Sequence, residues 1–556
     1  MNPPISKDYW HLWAIVAILG CTIALFPARS GLWPALAFHA GRAVQGAGNV
    51  PVLTYKYDNQ RTGENTGEKL LTTSNVNTHG FGRLISYPVD GQIYAQPLYM
   101  PGVITGGTTH NLVIVATEHD SIYAFDADAT GSSTPPIWHT SFLGGGARTV
   151  PASDFQCNDL KPKIGITSTP VIDSATNTLF AVSYVKKQGR YIYELHALDM
   201  ASGRDKSGSP IEVSLATFHS IKERQRAGLL LANGHVYLAF AGYCDLRPYH
   251  GGILSYGYDG QRFRLLATYN DTPYGTDAGI WSSGSGIAAD PAGHIYAMTG
   301  NGTFDLNRGG ADAGDSFLKF DKNLRLLDYF TPFNQSCLSS SDSDLGSGGP
   351  LLVPGHELIS GGKEGRIYVV NTQRMGHFRA IADACGRQQA NTFDPIPQET
   401  GPHAVHSIFS TPAYWQGSNG EYVFISSVKD HTRAFKLHNG RLSGTASETP
   451  EIFIYSGGNP VISSNGTAAG TGVLWVVVAP GDLRAYDATN LSHELYSSSI
   501  GNYNKFTNPI VTNGKVFVPT ADSLKIYGLL AQTNTPIQST PAPTPDPTAI
   551  VTPPMP

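Results

Sequence analysis

The chain has 556 residues, among them 61 Gly and 37 Pro, with 10% aromatic and 15% charged residues. That Gly and Pro load, with 27 Tyr and 23 Phe against 6 Met, excludes a mainly helical protein and points to many short strands joined by turns. The 38 Lys and Arg against 43 Asp and Glu give a formal charge of -5 with no long basic run, which argues against a nucleic-acid partner.

At the start of the chain, Tyr9 to Phe26 (YWHLWAIVAILGCTIALF) is an apolar run long enough for a signal sequence and close to the ~20 residues that span a bilayer. Lys7 precedes it and Ala35-Leu36-Ala37 offers a small-x-small cleavage pattern. Residues 1–48 therefore read either as a cleaved signal peptide or as a membrane anchor with a spacer. Ile18-Leu19-Gly20-Cys21 also resembles a lipobox but lacks the polar tether that follows a lipidated Cys. At the other end, residues 531–556 are rich in Thr and Pro and cannot bury a core, so they read as a disordered tail. The folded part is thus expected over 49–530. In an exported chain Cys157, Cys244, Cys337 and Cys385 can form two disulfides in any of three connectivities, or stay as free thiols. The pairing favoured is Cys157 with Cys244 and Cys337 with Cys385.

Between these ends one pattern recurs eight times: a small-polar entry, a short apolar strand, a turn, a second strand, another turn and a strand ending near Asp. The first copy runs from Ala95-Gln96-Pro97-Leu98 through VIVATEHDSIYAFD to Asp126. Later copies close at Asp199, Asp259, Asp321, Asn371, Leu437, Asp487 and Tyr527, about 57 residues apart on average. Such a unit cannot bury both faces of its sheet alone, whereas four-stranded units packed radially about an axis bury them against one another. The expected fold is all-β, an eight-bladed β-propeller; a right-handed β-solenoid is the alternative but wants shorter, more regular coils. The last unit stops after its third strand at Leu530, while Gly82 to Val89 is an unpaired strand ahead of the first. The N-terminal strand is therefore expected to complete the last blade and remove an exposed edge.

The run Ala124-Phe125-Asp126-Ala127-Asp128-Ala129-Thr130-Gly131 with Trp138 beyond it resembles the A-x-D-x-x-T-G-x-x-x-W repeat of pyrroloquinoline quinone (PQQ) propellers, whose Trp docks one blade on the next. Weaker versions start at Ala197 and Ala485. The phrases DGQIYAQPLY, ATEHDSIYAFDA, TGNGTFD and GDSFLKF resemble an exported bacterial group of PQQ-like propellers without an assigned substrate. The repeat serves quinoprotein alcohol dehydrogenases and also non-catalytic scaffold lipoproteins of the outer membrane.

The dehydrogenase resemblance implies PQQ and Ca2+ as cofactors and can be carried over at single positions. Trp281 approximates the platform on which the quinone stacks, although its spacing to Asp290 is longer than in the pattern. Asn301, in Met298-Thr299-Gly300-Asn301, approximates a metal ligand, and Asp245 stands where a Glu ligand is expected. Asp344, ahead of Gly346-Ser347-Gly348-Gly349-Pro350, takes the place of the catalytic base and a further metal ligand. Lys363, in Gly361-Gly362-Lys363-Glu364-Gly365, takes that of the cation at the quinone carbonyls. These types suit the chemistry: Ca2+ wants oxygen ligands, a quinone an electrophile at its carbonyl, and an alcohol a base. The vicinal Cys-Cys pair of many such dehydrogenases is missing and no C-x-x-C-H haem site exists.

Each of these residues also has a structural reading: Asn301 as a turn residue, Asp344 in a Ser/Asp/Gly loop, Lys363 at a hairpin tip, Trp281 as interblade packing. Asp305, Asn307, Gly309 and Asp312 form an incomplete calcium-loop pattern and read as a surface loop. His403, His406 and His431 read as loop residues. Serine-hydrolase, Walker, dinucleotide and zincin motifs are absent from the sequence. Two functions follow. One is an exported oxidoreductase of the quinoprotein type acting on an alcohol or sugar; the other is a cell-envelope scaffold propeller holding a protein or glycan. Both imply a monomer that touches the membrane only through its N-terminal segment.

Overall fold

The computed structural model describes residues 49–531, apart from 132–133, 156, 158, 215–218 and 388–393. The apolar run Tyr9 to Phe26 and nearly all of the Thr/Pro-rich tail lie outside these residues. Among the described residues no helix is long and apolar enough to cross a membrane.

Eight separate sheets follow one another along the chain, giving an eight-bladed β-propeller of mostly four-stranded blades. In blade one, Leu98–Thr105, Thr108–Ala116, Ser121–Asp126 and Trp138–Ser141 pair antiparallel from the axis outward. The middle strands are buried on both faces, which is why they read as continuous apolar runs such as VLWVVV at Val473–Val478 rather than as alternation. Blade eight is completed as expected. Phe81–Pro88 pairs antiparallel with Ser523–Leu529, joining the two ends of the ring.

The core lies between the blades, where facing sheets bury each other's side chains. At the junction of blades one and two Trp138 is 7% exposed and its indole Nε1 donates to the Met200 carbonyl at 2.9 Å. Its ring lies over Gly203, where a Cβ would come within 2.4 Å of it and where φ is +68°, so only Gly suits that position. The Trp of the repeat thus docks one blade on the next.

Residues 49–65, which the sequence pattern leaves without a role, form a belt inside the ring. It meets the second residue of the innermost strand in every blade. The Val52, Leu53, Asn59, Gln60, Thr62 and Gly63 carbonyls accept from the Tyr99, Ile172, Ala289, Leu352, Tyr414 and Ile462 amides of blades one, two, four, five, six and seven. In blade three the Asn59 carboxamide donates to the Leu231 carbonyl, and in blade eight the Val511 amide donates to the Tyr57 hydroxyl at 2.7 Å. Lys56 and Arg61 of the belt are fully buried. Burial lowers the Lys56 ammonium to about 7, and it donates to the Thr411 and Pro460 carbonyls.

Candidate functional site

A cavity of about 480 Å³ opens among the loops that enter the innermost strands. Those loops supply Cys157 and Asp159 in blade two, Arg224 and Arg226 in blade three and Trp281 in blade four. Blade five supplies Asp342 and Asp344, and blades six to eight supply Phe409, Tyr455 and Phe506. A second tier comes from the turns after the second strands of blades three and five, which carry Cys244, Asp245 and Lys363. Four of the five residues singled out from the sequence, Asp245, Trp281, Asp344 and Lys363, therefore line one cavity. Asn301, in the corresponding turn of blade four, borders the adjoining hollow and bonds to the same cluster.

The acidic end is tightly connected. Lys363 Nζ lies 2.6 Å from Asp344 Oδ2 and 2.7 Å from Asp342 Oδ1, and 5.9 Å from the centre of the Trp281 ring. The other Asp344 oxygen accepts from the Asn301 amide at 2.8 Å, and Asn301 Nδ2 donates to Asp342 at 3.1 Å. Gly300 makes this approach possible, because a Cβ there would stand 2.5 Å from Asp344 Oδ1. Burial, followed by the Asp344 and Asp342 charges, raises Asp245 above the ordinary carboxylate range. Against the opposing pull of burial, Asp344 and Asp342 raise Lys363 above the usual lysine value. Three residues of these walls that are not Gly, Cys244, Asp245 and Asp342, have positive φ. Non-Gly residues pay for such conformations with about 1–3 kcal/mol each, and they gather where a site needs a fixed geometry.

The opposite end is cationic, and this the sequence reading missed. Arg224 Nη1 lies 3.1 Å from Asp159 Oδ2, and Lys505 pairs with the other Asp159 oxygen. Burial pushes the Asp159 carboxyl up, but Arg224, Arg226 and Lys505 together hold it well below the carboxylate range. Arg226 is 3% exposed, and its Nη1 has no hydrogen-bond partner among the described residues. Its guanidinium lies 5.2 Å from the centre of the Phe506 ring and 5.6 Å from that of Tyr94. Burial, then the like charge of Arg224, lowers its pKa. Aromatic rings join the two ends: Trp281 to Phe409 at 6.0 Å, Phe409 to Tyr455 at 5.7 Å and Tyr455 to Phe506 at 5.8 Å.

The favoured cysteine pairing is present. Cys157–Cys244, with Cα atoms 6.1 Å apart, forms part of the cavity wall, and Cys337–Cys385 closes at 5.6 Å.

The chain is similar in structure to three solved dehydrogenases. The quinohemoprotein alcohol dehydrogenase ADHIIG of Pseudomonas putida HK5 matches with a TM-score of 0.57 at 12% identity, over 89% of this chain and 82% of that one. That of Comamonas testosteroni matches with 0.57 at 11% identity, over 86% and 80%. A europium-containing methanol dehydrogenase matches with 0.56 at 12% identity, over 86% and 98%. The fold is that of the eight-bladed quinoprotein dehydrogenases. No family model and no curated protein matches the chain. At these identities the likeness establishes the quinoprotein-like propeller and leaves the chemistry to the cavity.

The cavity residues fit the two implied cofactors. A flat, polycarboxylated quinone matches a hollow with aromatic walls, a cation at one end and, at the other, a buried guanidinium with one nitrogen lacking a hydrogen-bond partner among the described residues. Toward a hard cation, the Asn301 Oδ1 atom is buried without a partner among the described residues, beside carboxylates whose mutual repulsion an added positive charge would relieve. Among the described residues no group of three His, Cys, Asp or Glu side chains is placed to hold a metal by itself, so such a site would draw on the Asn301 carboxamide.

Proposed function

We propose that the cavity binds PQQ and a Ca2+ ion and that the protein is an exported oxidoreductase acting on an alcohol or sugar. The observation that carries this reading is the polarity of one cavity: Lys363 and Asp344 at the Trp281 end, and at the other Arg226, whose Nη1 has no hydrogen-bond partner among the described residues. When bound, the quinone accepts the two electrons and two protons that turn an alcohol into a carbonyl compound. Trp281 supplies a flat platform, Lys363 an electrophilic contact for a quinone oxygen, and Arg226 with Arg224 a seat for its carboxylates. Asn301, Asp344 and Asp245 would hold the ion. Asp344, its geometry held by the Asn301 amide and Lys363, is the base for the substrate hydroxyl proton. Two disulfides, Cys157–Cys244 and Cys337–Cys385, support an oxidising compartment, cell envelope or exterior. Asp344 and Lys363 face one cavity and Asn301 is bonded to Asp344 from the adjoining hollow, and this connected cluster favours the oxidoreductase over a scaffold propeller.

Titration with PQQ, with and without Ca2+, tests it through protein fluorescence and quinone absorbance. Saturable, Ca2+-dependent binding that Asn301→Ala weakens, with turnover lost in Asp344→Ala, is the expected result. No binding at high micromolar quinone refutes the oxidoreductase and returns the protein to the scaffold class.

A further inference from the structure

The cavity has a neighbour. Asp245, Tyr249 and Asp342 form a wall shared with a second hollow of about 460 Å³, whose other sides are Arg247, Asn301, Ser339 and Ser340. Not one aliphatic side chain lines it. Carboxylate, carboxamide, hydroxyl and guanidinium groups alternate around it, offering both donors and acceptors.

Part of this lining is held by contacts of its own. Ser339 and Ser340 end the helix Gln335–Ser340, the single α-helix among the described residues, which the Cys337–Cys385 disulfide ties to a distant loop. The Ser340 hydroxyl donates to the Cys337 carbonyl at 3.1 Å. Across the chamber, Arg247 Nε is anchored 3.0 Å from Asp277 Oδ2, and Asn301 Nδ2 on Asp342. Asp342 belongs to both worlds: one oxygen meets Lys363 and Asn301, yet its side chain is 78% exposed.

We propose that this chamber is the substrate vestibule and that it selects a polyhydroxylated substrate, a sugar or polyol, over an alkyl alcohol. The proposal deepens the oxidoreductase reading and rests on it for the reaction. An alkyl chain entering here would strip water from Arg247, Ser339, Ser340 and Asp342 without replacing the lost hydrogen bonds. A polyol replaces them one hydroxyl at a time, and a site built to hydrogen-bond hydroxyls discriminates strongly against analogues that lack them. With Asp245 and Asp342 against Arg247, the chamber also disfavours an anionic substrate.

Two measurements on the full-length protein test this and separate it from the reading beneath. The first needs no quinone: saturation-transfer NMR with D-glucose, D-sorbitol and 1-butanol as probes. The sugar and polyol resonances are expected to take up saturation, 1-butanol not, and the signal to fall several-fold in Arg247→Ala and in the Ser339→Ala/Ser340→Ala double variant. Transfer to 1-butanol equal to or above that of the sugars, or none to either sugar, overturns the proposal. The second measures dye-linked turnover after PQQ loading, checked by tryptophan fluorescence in each variant. There kcat/KM for glucose or sorbitol is expected to exceed that for 1-butanol by about 100-fold or more. A protein that fails to take up PQQ loses the oxidoreductase reading, while the NMR result still decides the vestibule.

Discussion

Replacing Arg226 by Met should make the empty protein more stable and the quinone site worse. Arg226 is 3% exposed, its Nη1 finds no partner among the described residues, and Arg224 adds like-charge repulsion. A buried charge without a full partner costs several kcal/mol; the rings of Phe506 and Tyr94 return about 0.5–2 kcal/mol by cation–π attraction and Asp159 returns part of the rest, but Asp159 keeps Arg224 and Lys505 as direct partners when Arg226 is removed. Methionine fills most of the same volume without the charge, so the ligand-free variant should gain about 1–3 kcal/mol. The same change removes a charge-assisted contact worth about 1.5–3 kcal/mol, a 10- to 100-fold loss of PQQ affinity. Urea denaturation of the ligand-free protein and fluorescence titration with PQQ measure the two halves. The reasoning fails if Arg226→Met destabilises the empty protein while leaving the quinone affinity unchanged, since the guanidinium would then be a structural group with a satisfied environment.

Further expectations concern the scaffold. Lys56 should give a pH signature: its folded value near 7 lies below the unfolded 10.5, so the unfolded chain binds more protons between these values and stability rises with pH across that window. The stability gap between wild type and Lys56→Met should therefore shift in favour of wild type by about 3 kcal/mol between pH 6.5 and 9.5; a gap independent of pH refutes the desolvation of the Lys56 amine. Trp138→Ala should cost about 3–5 kcal/mol at the first blade junction, with Gly203→Ala also destabilising, and calorimetric shifts below 1 kcal/mol would contradict the docking role. Removing the Cys157–Cys244 link, which spans 87 residues, as a double Ser variant should cost about 2–4 kcal/mol in denaturant and soften a cavity wall; equal stability with and without it would show that the blades hold that wall unaided.

How much was legible in the sequence depended on whether a signal is local. The eight blades were, because each repeats a strand-turn-strand rhythm of its own, and so was the clasp, because an apolar strand with no neighbour at Gly82 to Val89 needed a partner. Asp344, Lys363 and Asn301 were legible as short motifs, each beside Gly at the end of a strand. Arg226 was not: in ERQRAGLLL it looks like any charge ahead of a strand, and only packing under Tyr94 and Phe506, over 100 residues away on either side, makes it buried. The aromatic bridge was hidden for the same reason, since Phe409, Tyr455 and Phe506 come one from each of three blades. The belt was hidden by its polarity. VLTYKYDNQRTGEN carries no strand period, and six of its carbonyls and the side chains of Tyr57 and Asn59 are bonded by eight strands distant in sequence.

The belt also acts as a gauge of blade number. It emerges from the ribosome before any blade, yet the Tyr57 hydroxyl and the Val50 carbonyl wait for Val511 and Thr512 at the far end of the chain. A ring that lost or duplicated a blade would leave either a belt group without its strand or a strand without its belt group. Blade gain and loss, the easy currency of change in propellers built from interchangeable units, is therefore closed to this chain unless residues 49–65 are rewritten in the same step.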